Sequence, residues 1–92
     1  SMDNQFLRVK IVSPKEIIFE DFALSVSSTN SAGNFDILPQ HANFITIVQS
    51  VPIIIRRANQ ETVNFQFPLA IVYVSNNQVS IYTDIQLDFG QN

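Results

Sequence analysis

The sequence contains no cysteine, no tryptophan and only two glycines, Gly33 and Gly90. Without thiol groups the chain can build neither a disulfide framework nor a thiolate zinc site nor a cysteine nucleophile. With so few glycines it lacks the material for a dinucleotide fingerprint or a phosphate-binding loop. The longest apolar runs, at 53–55 and 69–74, fall far short of the roughly 20 residues that a membrane-spanning helix needs.

Charged residues are scarce as well. They make up 14% of the 92 residues, and the formal net charge is −3. Soluble domains usually carry roughly 25% charged residues, so this surface is expected to be rich in neutral polar and apolar groups and to be either adhesive or covered by a partner. Nucleic-acid binding is disfavoured because it needs clustered basic residues. Arg56 and Arg57 are the only two basic residues adjacent in the sequence, and strand alternation directs their side chains to opposite faces.

The residues that catalysis would need do not form a set. His41 is the single histidine, and a Ser-His-Asp arrangement requires a histidine that is oriented by a carboxylate and touches a nucleophile. Ser31 and Asp36 are near His41 only along the chain, and Glu20 with Asp21 is interpreted as a solvated turn. We therefore expect no catalytic, cofactor or metal site. For His41, an interface role and a hydrogen bond to the backbone both stay open.

Apolar and polar side chains alternate along most of the chain, a period of two that is typical of half-buried β-strands. Strands are predicted at 7–11, 16–19, 24–27, 35–37, 44–48, 51–55, 62–67, 69–74 and 78–83. No segment shows a convincing helical period. Short strands with frequent turn signals indicate an all-β fold, a sandwich of two antiparallel sheets with roughly eight to ten short strands.

Turn-forming residues mark the connections between these strands. A loop is predicted at 29–34, the four-residue connection of a β-hairpin at 58–61, and a turn at 75–77. Pro52 indicates the start or the edge of a strand, because proline cannot donate a ladder hydrogen bond. The tail 85–92 keeps the alternation and is predicted to be either a last strand or the start of a linker.

The most specific segment is 33–46, with the sequence GNFDILPQHANFIT. It resembles the signature Gly-x-Phe/Leu-Gly-Ile-Leu-Pro-x-His-Ala/x-Pro-Leu-Leu/Ile-Thr of the epsilon subunit of F-type rotary ATP synthases. Flanking segments resemble the same family in the same order, at 7–14, 17–20, 53–57 and 77–83. The resemblance runs from Phe6 to Asp84 and implies a single β-sandwich domain over residues 3–84.

The chain departs from the family pattern at three places. Asp36 stands where the family usually has glycine, and Pro68, Leu69 and Ala70 stand where it usually has Ser-Gly-Gly. Because glycine permits a bulge or a positive φ, a different local backbone is expected there. The family continues into two C-terminal helices that carry inhibition of ATP hydrolysis and, in some members, ATP binding. Neither activity is expected of these 92 residues.

The resemblance implies a non-catalytic domain of the central stalk that docks the gamma subunit onto the c-ring and couples proton or sodium flow to ATP synthesis. It implies gamma-subunit contacts at Ser13 and His41, and c-ring contacts at Gly33, Asn34, Phe35 and Asp36. A ring-facing charge at Asp36 would need a partner cation or a rearranged contact. No cofactor or small-molecule ligand is expected. The implied location is peripheral, on the cytoplasmic face of a bacterial plasma membrane or the equivalent organelle face.

Two other functions stay open. The second hypothesis is a small ligand- or carbohydrate-binding β-sandwich module, although such modules usually display exposed Trp or Tyr platforms. This chain offers only Tyr73 and Tyr82. An enzyme is the third hypothesis. Retention on a gamma subunit favours the stalk domain, whereas binding to a glycan array without gamma binding favours the carbohydrate module.

Overall fold

The computed structural model describes residues 5–85. Within this range the chain forms eight β-strands: β1 (Leu7–Val12), β2 (Ile17–Asn30), β3 (Gly33–Ile37), β4 (Phe44–Val48), β5 (Pro52–Arg57), β6 (Thr62–Gln66), β7 (Ala70–Ser75) and β8 (Gln78–Thr83). The predicted all-β class and the predicted number of strands are confirmed. Of the predicted tail 85–92, Ile85 follows β8 without joining a strand, and the other residues lie outside the described range.

The strands hydrogen-bond in the order β4-β7-β8-β1-β2-β5-β6, and β3 pairs with β2. Among the described strands one pair differs from the predicted antiparallel arrangement, because β1 and β8 run parallel, with Val9 opposite Val79 and Ile11 opposite Ile81. Antiparallel neighbours can be joined by a tight hairpin, whereas parallel neighbours need a long crossover. Most of the domain separates β1 from β8 along the chain, which supplies that crossover.

Strand β2 belongs to both layers of the sandwich and is 14 residues long. Its first half pairs with β1, and its second half pairs with β3 on one edge and β5 on the other. A register shift between Ala23 and Ser25 leaves Leu24 as an extra residue against β5, and such a bulge bends and twists a strand. The first layer therefore comprises β4, β7, β8, β1 and the start of β2, and the second comprises the end of β2 with β3, β5 and β6.

Two sequence-based interpretations of this region are wrong. Separate strands were expected at 16–19 and 24–27 because Glu20 and Asp21 interrupt the apolar pattern, yet both residues lie inside β2, with Asp21 opposite Val9 of β1. They do not form a solvated turn. The loop expected at 29–34 is mostly strand, since β2 runs to Asn30 and β3 begins at Gly33.

The core fills the space between the two layers. Its fully buried apolar residues are Leu7, Val9, Ile11, Ala23, Val26, Ile37, Val48, Ile53, Ile55, Ala70, Val72, Val74, Val79 and Ile81. Burying each Val, Leu or Ile contributes about 1.5–3 kcal/mol. Phe19 and Phe65 pack edge to face beside this core, with ring centroids 5.3 Å apart. The Ser28 hydroxyl, also buried, donates to the Pro52 carbonyl oxygen at 2.9 Å.

The structure tests the expectations for Pro52 and for the two positions, 69 and 70, where the family usually has glycine. Pro52 is the first residue of β5, as predicted, and the connection 58–61 joins β5 to β6. Ala70 opens β7, lies fully buried and pairs with Thr83. Neither Leu69 nor Ala70 has a positive φ. The backbone at these two positions is therefore one that residues other than glycine adopt without strain.

Candidate functional site

The outer surface of the first layer carries most of the large exposed apolar side chains of the described residues, together with the charged side chains of Arg8, Lys10 and Glu20. The register places Ile71 between Ile47 and Tyr82, and Tyr82 beside Val12. We call this surface the apolar face; its large exposed side chains are Ile17, Phe22, Ile45, Ile47, Tyr73 and Tyr82. Ile45 is 67% exposed. Single apolar residues on a surface need no explanation, but a contiguous apolar patch of this kind marks an interaction site.

The outer surface of the second layer is polar. Asn34, Asp36, Arg56 and Asn64 are exposed on β3, β5 and β6. Ile54, the large apolar side chain exposed on β5, is 40% accessible. The two outer faces of the sandwich therefore differ in polarity, and this asymmetry favours docking through one side.

A shallow trough of about 610 Å³ follows β1 and its neighbours across the apolar face. Its lining includes Arg8, Lys10 and Glu20, together with the rings of Phe22 and Tyr82. Charges of both signs on an open sheet surface do not converge on one class of small ligand, as a formed binding pocket does. The two tyrosines of the chain, on which the carbohydrate alternative depends, are each 42% exposed on this face.

The segment 33–46, which we call the signature segment, leaves β3 through a tight turn at 38–41. The His41 N–H donates to the Leu38 carbonyl oxygen at 3.1 Å, which closes a turn with Pro39 second and Gln40 third. Gln40 has a φ of 68°. This is the left-handed angle that the third position of a type II turn requires, and it costs about 1–2 kcal/mol for a residue with a side chain.

Asn77 anchors this turn to the rest of the fold. With Asn76 it forms the two-residue connection between β7 and β8, where both residues have positive φ (52° and 62°), as a type I′ hairpin turn requires. The Asn77 Oδ1 atom accepts the Gln40 N–H at 2.5 Å, and its carbonyl oxygen accepts the Arg8 N–H at 2.8 Å. The pattern of the sequence predicted this turn but not its contact with Gln40, which lies 37 positions away.

His41 is seated by contacts within the signature segment. Its Nδ1 atom lies 2.7 Å from the Ala42 carbonyl oxygen, so the backbone hydrogen bond considered from the sequence is present. Its ring meets Phe44 edge to face with centroids 5.5 Å apart. Phe44 in turn packs against Phe35 at 5.3 Å. Phe44 therefore connects His41, a predicted gamma contact, with Phe35, a predicted c-ring contact. The sequence predicted only that Phe44 lies in a strand.

The predicted c-ring contacts lie on β3, at its hairpin with β2: Gly33, Asn34, Phe35 and Asp36. They do not share one surface. Asn34 and Asp36 face outward, where the Asn34 side chain accepts the Thr29 hydroxyl at 2.8 Å and the Asp36 carboxylate accepts the Ser27 hydroxyl at 2.5 Å. Phe35 points the other way, toward the core. The partner of Asp36 within the described range is therefore a hydroxyl group on the neighbouring strand.

Ser13 shapes the turn between β1 and β2. Its Oγ atom accepts the N–H groups of Lys15 and Glu16 at 3.3 and 3.2 Å. Ser13 follows the end of β1, whereas Asn77 holds the His41 turn near the start of β1. Five steps of about 3.3 Å lead along the strand from Arg8, which Asn77 contacts, to Ser13, so roughly 17 Å separates the two predicted gamma contacts. The fold does not bring them together.

An ion pair connects the two layers beside the β2 bulge. The Arg57 Nε atom donates to Asp21 Oδ2 at 2.8 Å, and its Nη1 atom donates to Glu61 at 3.1 Å. The Phe22 N–H also donates to Asp21, at 2.7 Å. The hydrogen bond from Arg57, followed by that from Phe22, lowers the pKa of Asp21 below its usual value. These contacts link β2 to β5.

Residues 5–85 contain no group of three or more His, Cys, Asp or Glu that could hold a metal ion. In the same range, we find no helix with the length and apolar character needed to cross a membrane. The candidate site is a surface: the apolar face, with the signature segment at one margin. Ile45 of β4 belongs to both.

Sequence comparison identifies a family. The family model described as "ATP synthase, Delta/Epsilon chain, beta-sandwich domain" matches residues 6–87. The ATP synthase epsilon chain of Sulfurovum sp. (strain NBC37-1) is 26% identical over 80 residues, which cover 87% of this chain and 62% of the relative. The ATP synthase epsilon chain of Xanthomonas euvesicatoria pv. vesicatoria (strain 85-10) is 32% identical over 78 residues, with coverages of 85% and 56%. The matched part of this chain thus spans 56–62% of these relatives.

Structural comparison finds the same fold in two large assemblies. A chain in the cryo-EM structure of the Euglena gracilis mitochondrial ATP synthase (OSCP/F1/c-ring, rotational state 1) has a TM-score of 0.79 at 11% identity, covering 86% of this chain and 51% of that one. A chain in the Tetrahymena thermophila mitochondrial ATP synthase structure (central stalk/c-ring) has a TM-score of 0.68 at 15% identity, covering 91% and 75%. At such low identities these matches show a shared fold.

Proposed function

This chain belongs to the family of ATP synthase delta/epsilon chain β-sandwich domains, and from that premise we propose that it is a rotor domain of an F-type ATP synthase. It docks the gamma subunit onto the c-ring in the central stalk and couples proton or sodium flow to ATP synthesis. It catalyses no reaction itself. Relatives named as ATP synthase epsilon chains and the fold shared with chains of ATP synthase assemblies support this function.

The one-sided apolar face carries the proposal. A stable protein–protein interface buries about 800 Å² on each partner, a patch roughly 30 Å across. Five adjacent strands extend about 20 Å across the sheet, and six-residue strands extend about 20 Å along it. The apolar face therefore offers a large part of the surface that such an interface needs. Its large exposed side chains include Ile45 and Ile47 on the edge strand β4 and Tyr82 on β8.

In this arrangement the gamma subunit covers the apolar face, with Ser13 and His41 at its two margins. The roughly 17 Å between them fits inside one interface of standard size. Ser13 contributes through the shape of its turn, because its hydroxyl is already engaged with the backbone. His41 contributes the edge of its ring, which Phe44 supports from below.

The hairpin of β2 and β3 meets the c-ring. Gly33 lies at its turn, Asn34 and Asp36 face outward, and Phe35 supports the strand from the inner side. Burying the Asp36 carboxylate against another subunit is costly unless hydrogen bonds satisfy its oxygens. The Ser27 hydroxyl already donates to it at 2.5 Å, which offsets part of that cost. The rest calls for a cation or further hydrogen-bond donors on the c-ring.

A domain clamped between a gamma subunit and a c-ring lies at the membrane surface as a peripheral component. We assign it to the cytoplasmic face of a bacterial plasma membrane or to the equivalent organelle face. The role needs no cofactor and no small-molecule ligand, because binding and mechanical coupling require only a rigid domain with two contact surfaces.

Substitution of Ile47 by lysine tests the docking surface. Ile47 is 53% exposed, so Ile47→Lys should fold normally, yet it places a charge within the proposed interface, on the edge strand β4. We expect affinity for a purified gamma–c-ring assembly to fall by about tenfold or more. The matched control is Ile54→Lys on the polar face, where the isoleucine is 40% exposed and affinity should change by less than about twofold. Binding is measured by surface-immobilised titration, and folding by circular dichroism.

Parent-like affinity for Ile47→Lys, or an equal loss for Ile54→Lys, would contradict docking through the apolar face. A glycan array run with the same proteins separates the carbohydrate alternative. Specific glycan binding by a chain that does not bind the gamma–c-ring assembly would replace the rotor function with a carbohydrate-binding one.

A further inference from the structure

The turn at 38–41 depends on an unfavourable backbone angle. Gln40 has a φ of 68°, in the left-handed region where glycine is at ease and a glutamine side chain is crowded. Pro39 fixes its own φ and thereby the second position of the turn, but it places no such restraint on Gln40. A residue held in a sparsely populated conformation persists only when its surroundings fix it.

Besides the hydrogen bond that closes the turn, Gln40 makes a hydrogen bond to a distant residue. The turn borders an open space of about 320 Å³ whose lining is polar: Gln40, His41, Asn43, Asn76 and Asn77. Beside this space the Gln40 N–H donates to Asn77 Oδ1 at 2.5 Å. Asn77 is itself held, because its carbonyl oxygen accepts the Arg8 N–H at 2.8 Å. The turn is thereby tied to the paired strands β1 and β8.

We propose that Asn77 is a positioning residue for stalk docking: its side-chain oxygen holds the turn at Gln40 in the conformation that directs His41 toward the gamma subunit. This inference rests on the proposed function, which assigns His41 to the gamma-facing surface. His41 directly follows Gln40, and its ring is seated against Phe44 with centroids 5.5 Å apart. A change of backbone angle at Gln40 would move the His41 backbone and unseat that ring.

Asparagine suits the position for two reasons. Asn77 has a φ of 62°, which asparagine tolerates better than most residues with a side chain. Its side-chain carbonyl supplies the acceptor that Gln40 needs. Glycine at this position would keep the backbone angle and remove the acceptor, whereas aspartate would keep an acceptor oxygen of the same reach. Asn76, with a φ of 52°, provides a matched control in the same connection.

The test compares Asn77→Gly, Asn77→Asp and Asn76→Gly in the 92-residue chain. For Asn77→Gly we expect affinity for the gamma–c-ring assembly to fall about fivefold, and hydrogen exchange of the Gln40 amide, followed by NMR, to speed up about tenfold. Asn77→Asp should restore affinity to within about twofold of the parent chain, and Asn76→Gly should leave it there. Thermal melts establish that each variant is folded.

Four results would overturn the inference, and they are distinguishable. If Asn77→Gly speeds Gln40 exchange but binds like the parent chain, Asn77 holds the turn without affecting docking. If exchange at Gln40 is unchanged, the hydrogen bond does not hold the turn. Equal losses for Asn77→Gly and Asn76→Gly would assign the effect to the hairpin connection, and failure of Asn77→Asp to restore binding would assign it to something other than the acceptor. Lack of binding by the parent chain would instead reject the proposed function, whatever the exchange rates show.

Discussion

Asp21 is tolerated inside β2 because a distant part of the chain supplies its partner. The Arg57 guanidinium reaches it from β5 at 2.8 Å, and the Phe22 N–H adds a second hydrogen bond to its carboxylate. From the sequence, Glu20 and Asp21 resembled a turn, since two adjacent carboxylates seldom lie inside a strand that packs on a core. Only the pairing of β2 with β5 brings Arg57 within reach.

The ion pair between Asp21 and Arg57 should make stability depend on pH in the acid range. The pKa of Asp21 is lowered from its usual 3.8 in the folded chain, so folding favours the ionised carboxylate. Its contribution is complete above the unfolded pKa and is lost as pH falls through the lower folded pKa. Because the two side chains are 29% and 32% exposed, the pair contributes only about 0.5–1 kcal/mol.

Urea unfolding of Asp21→Asn and the parent chain at several pH values measures this contribution. The substitution should lower the free energy of unfolding at about pH 7 and make progressively less difference below about pH 4. Glu20→Gln, on the neighbouring exposed position, is the control and should show a smaller effect at neutral pH. A deficit of Asp21→Asn that stayed constant down to about pH 2 would show that charge is not its cause.

The hairpin of β2 and β3 was predicted as a loop at 29–34, and the structure shows two paired strands there. The polar residues at 29–34 indicated a loop, but Thr29 pairs with Asn34 and Asn30 with Gly33 in a continuing ladder. Side-chain hydrogen bonds between the strands, such as Thr29 to Asn34 at 2.8 Å, take the place of apolar contacts there. Small polar residues therefore form strands here because cross-strand partners satisfy them.

Gly33 is expected to set the geometry of this hairpin through its backbone alone. Its φ is 124°, and a Cβ atom added there would meet nothing within 4 Å. Gly33→Ala should therefore cost about 1–2 kcal/mol of backbone strain with no clash. Ala32→Gly, next to it in the turn, serves as the control and should cost less than about 1 kcal/mol, through the entropy of the unfolded chain. Equal losses in urea unfolding would contradict a special role for Gly33.

Strand prediction succeeded where alternation is unbroken and the turn is local. Strands β5 and β6 and their connection 58–61 were predicted from apolar periodicity, from Pro52 and from polar turn residues. The same reasoning predicted two short strands in place of β2. It failed because β2 contains polar residues and a bulge, and the bulge is visible only in the pairing of β2 with β5. The parallel pairing of β1 with β8 could not be predicted in this way either, because no local pattern in the sequence relates two strands at opposite ends of a domain.

At the scale of the whole molecule, docking to a partner is expected to depend more on where the apolar side chains lie than on the net charge. The chain carries a formal charge of −3 with 14% charged residues. Among the described residues, six of the eight large exposed apolar side chains lie on the outer surface of one layer, and Leu38 and Ile54 lie elsewhere. A partner that docks on this surface gains mainly from apolar burial, which acts over contact distances and is not screened by salt.

Docking to the gamma–c-ring assembly should therefore depend weakly on ionic strength. Between about 50 and 500 mM salt we expect the dissociation constant to change by less than about threefold, because apolar burial supplies most of the contact and the charges of Arg8, Lys10 and Glu20 on this face are of both signs. Titrations at four salt concentrations measure this, with Ile47→Lys as the comparison that introduces a charge. A weakening of tenfold or more for the parent chain would indicate an interface governed by ion pairs and would contradict docking through the apolar face.

The sequence by itself determined the class of the fold, most strand positions and the membership of a family. Alternation with a period of two fixes which side chains face the core, since each strand must bury one side. The absence of cysteine excludes disulfides and thiolate sites, and the scarcity of glycine excludes phosphate-binding loops. The signature segment indicates the family that the chain resembles. All of this information is local, or is a pattern that can be matched position by position.

Only the tertiary structure decided which residues act together. It separated Ser13 from His41 by the length of β1, turned Phe35 inward between outward-facing neighbours, and joined Asn77 to Gln40 across 37 positions. It also brought exposed apolar side chains of four strands, β2, β4, β7 and β8, onto one face. These relations follow from the pairing order of the strands, which depends on the bulge and bend of β2 and on a parallel crossover. No local pattern encodes that order, because it is the packing of the whole core that selects it.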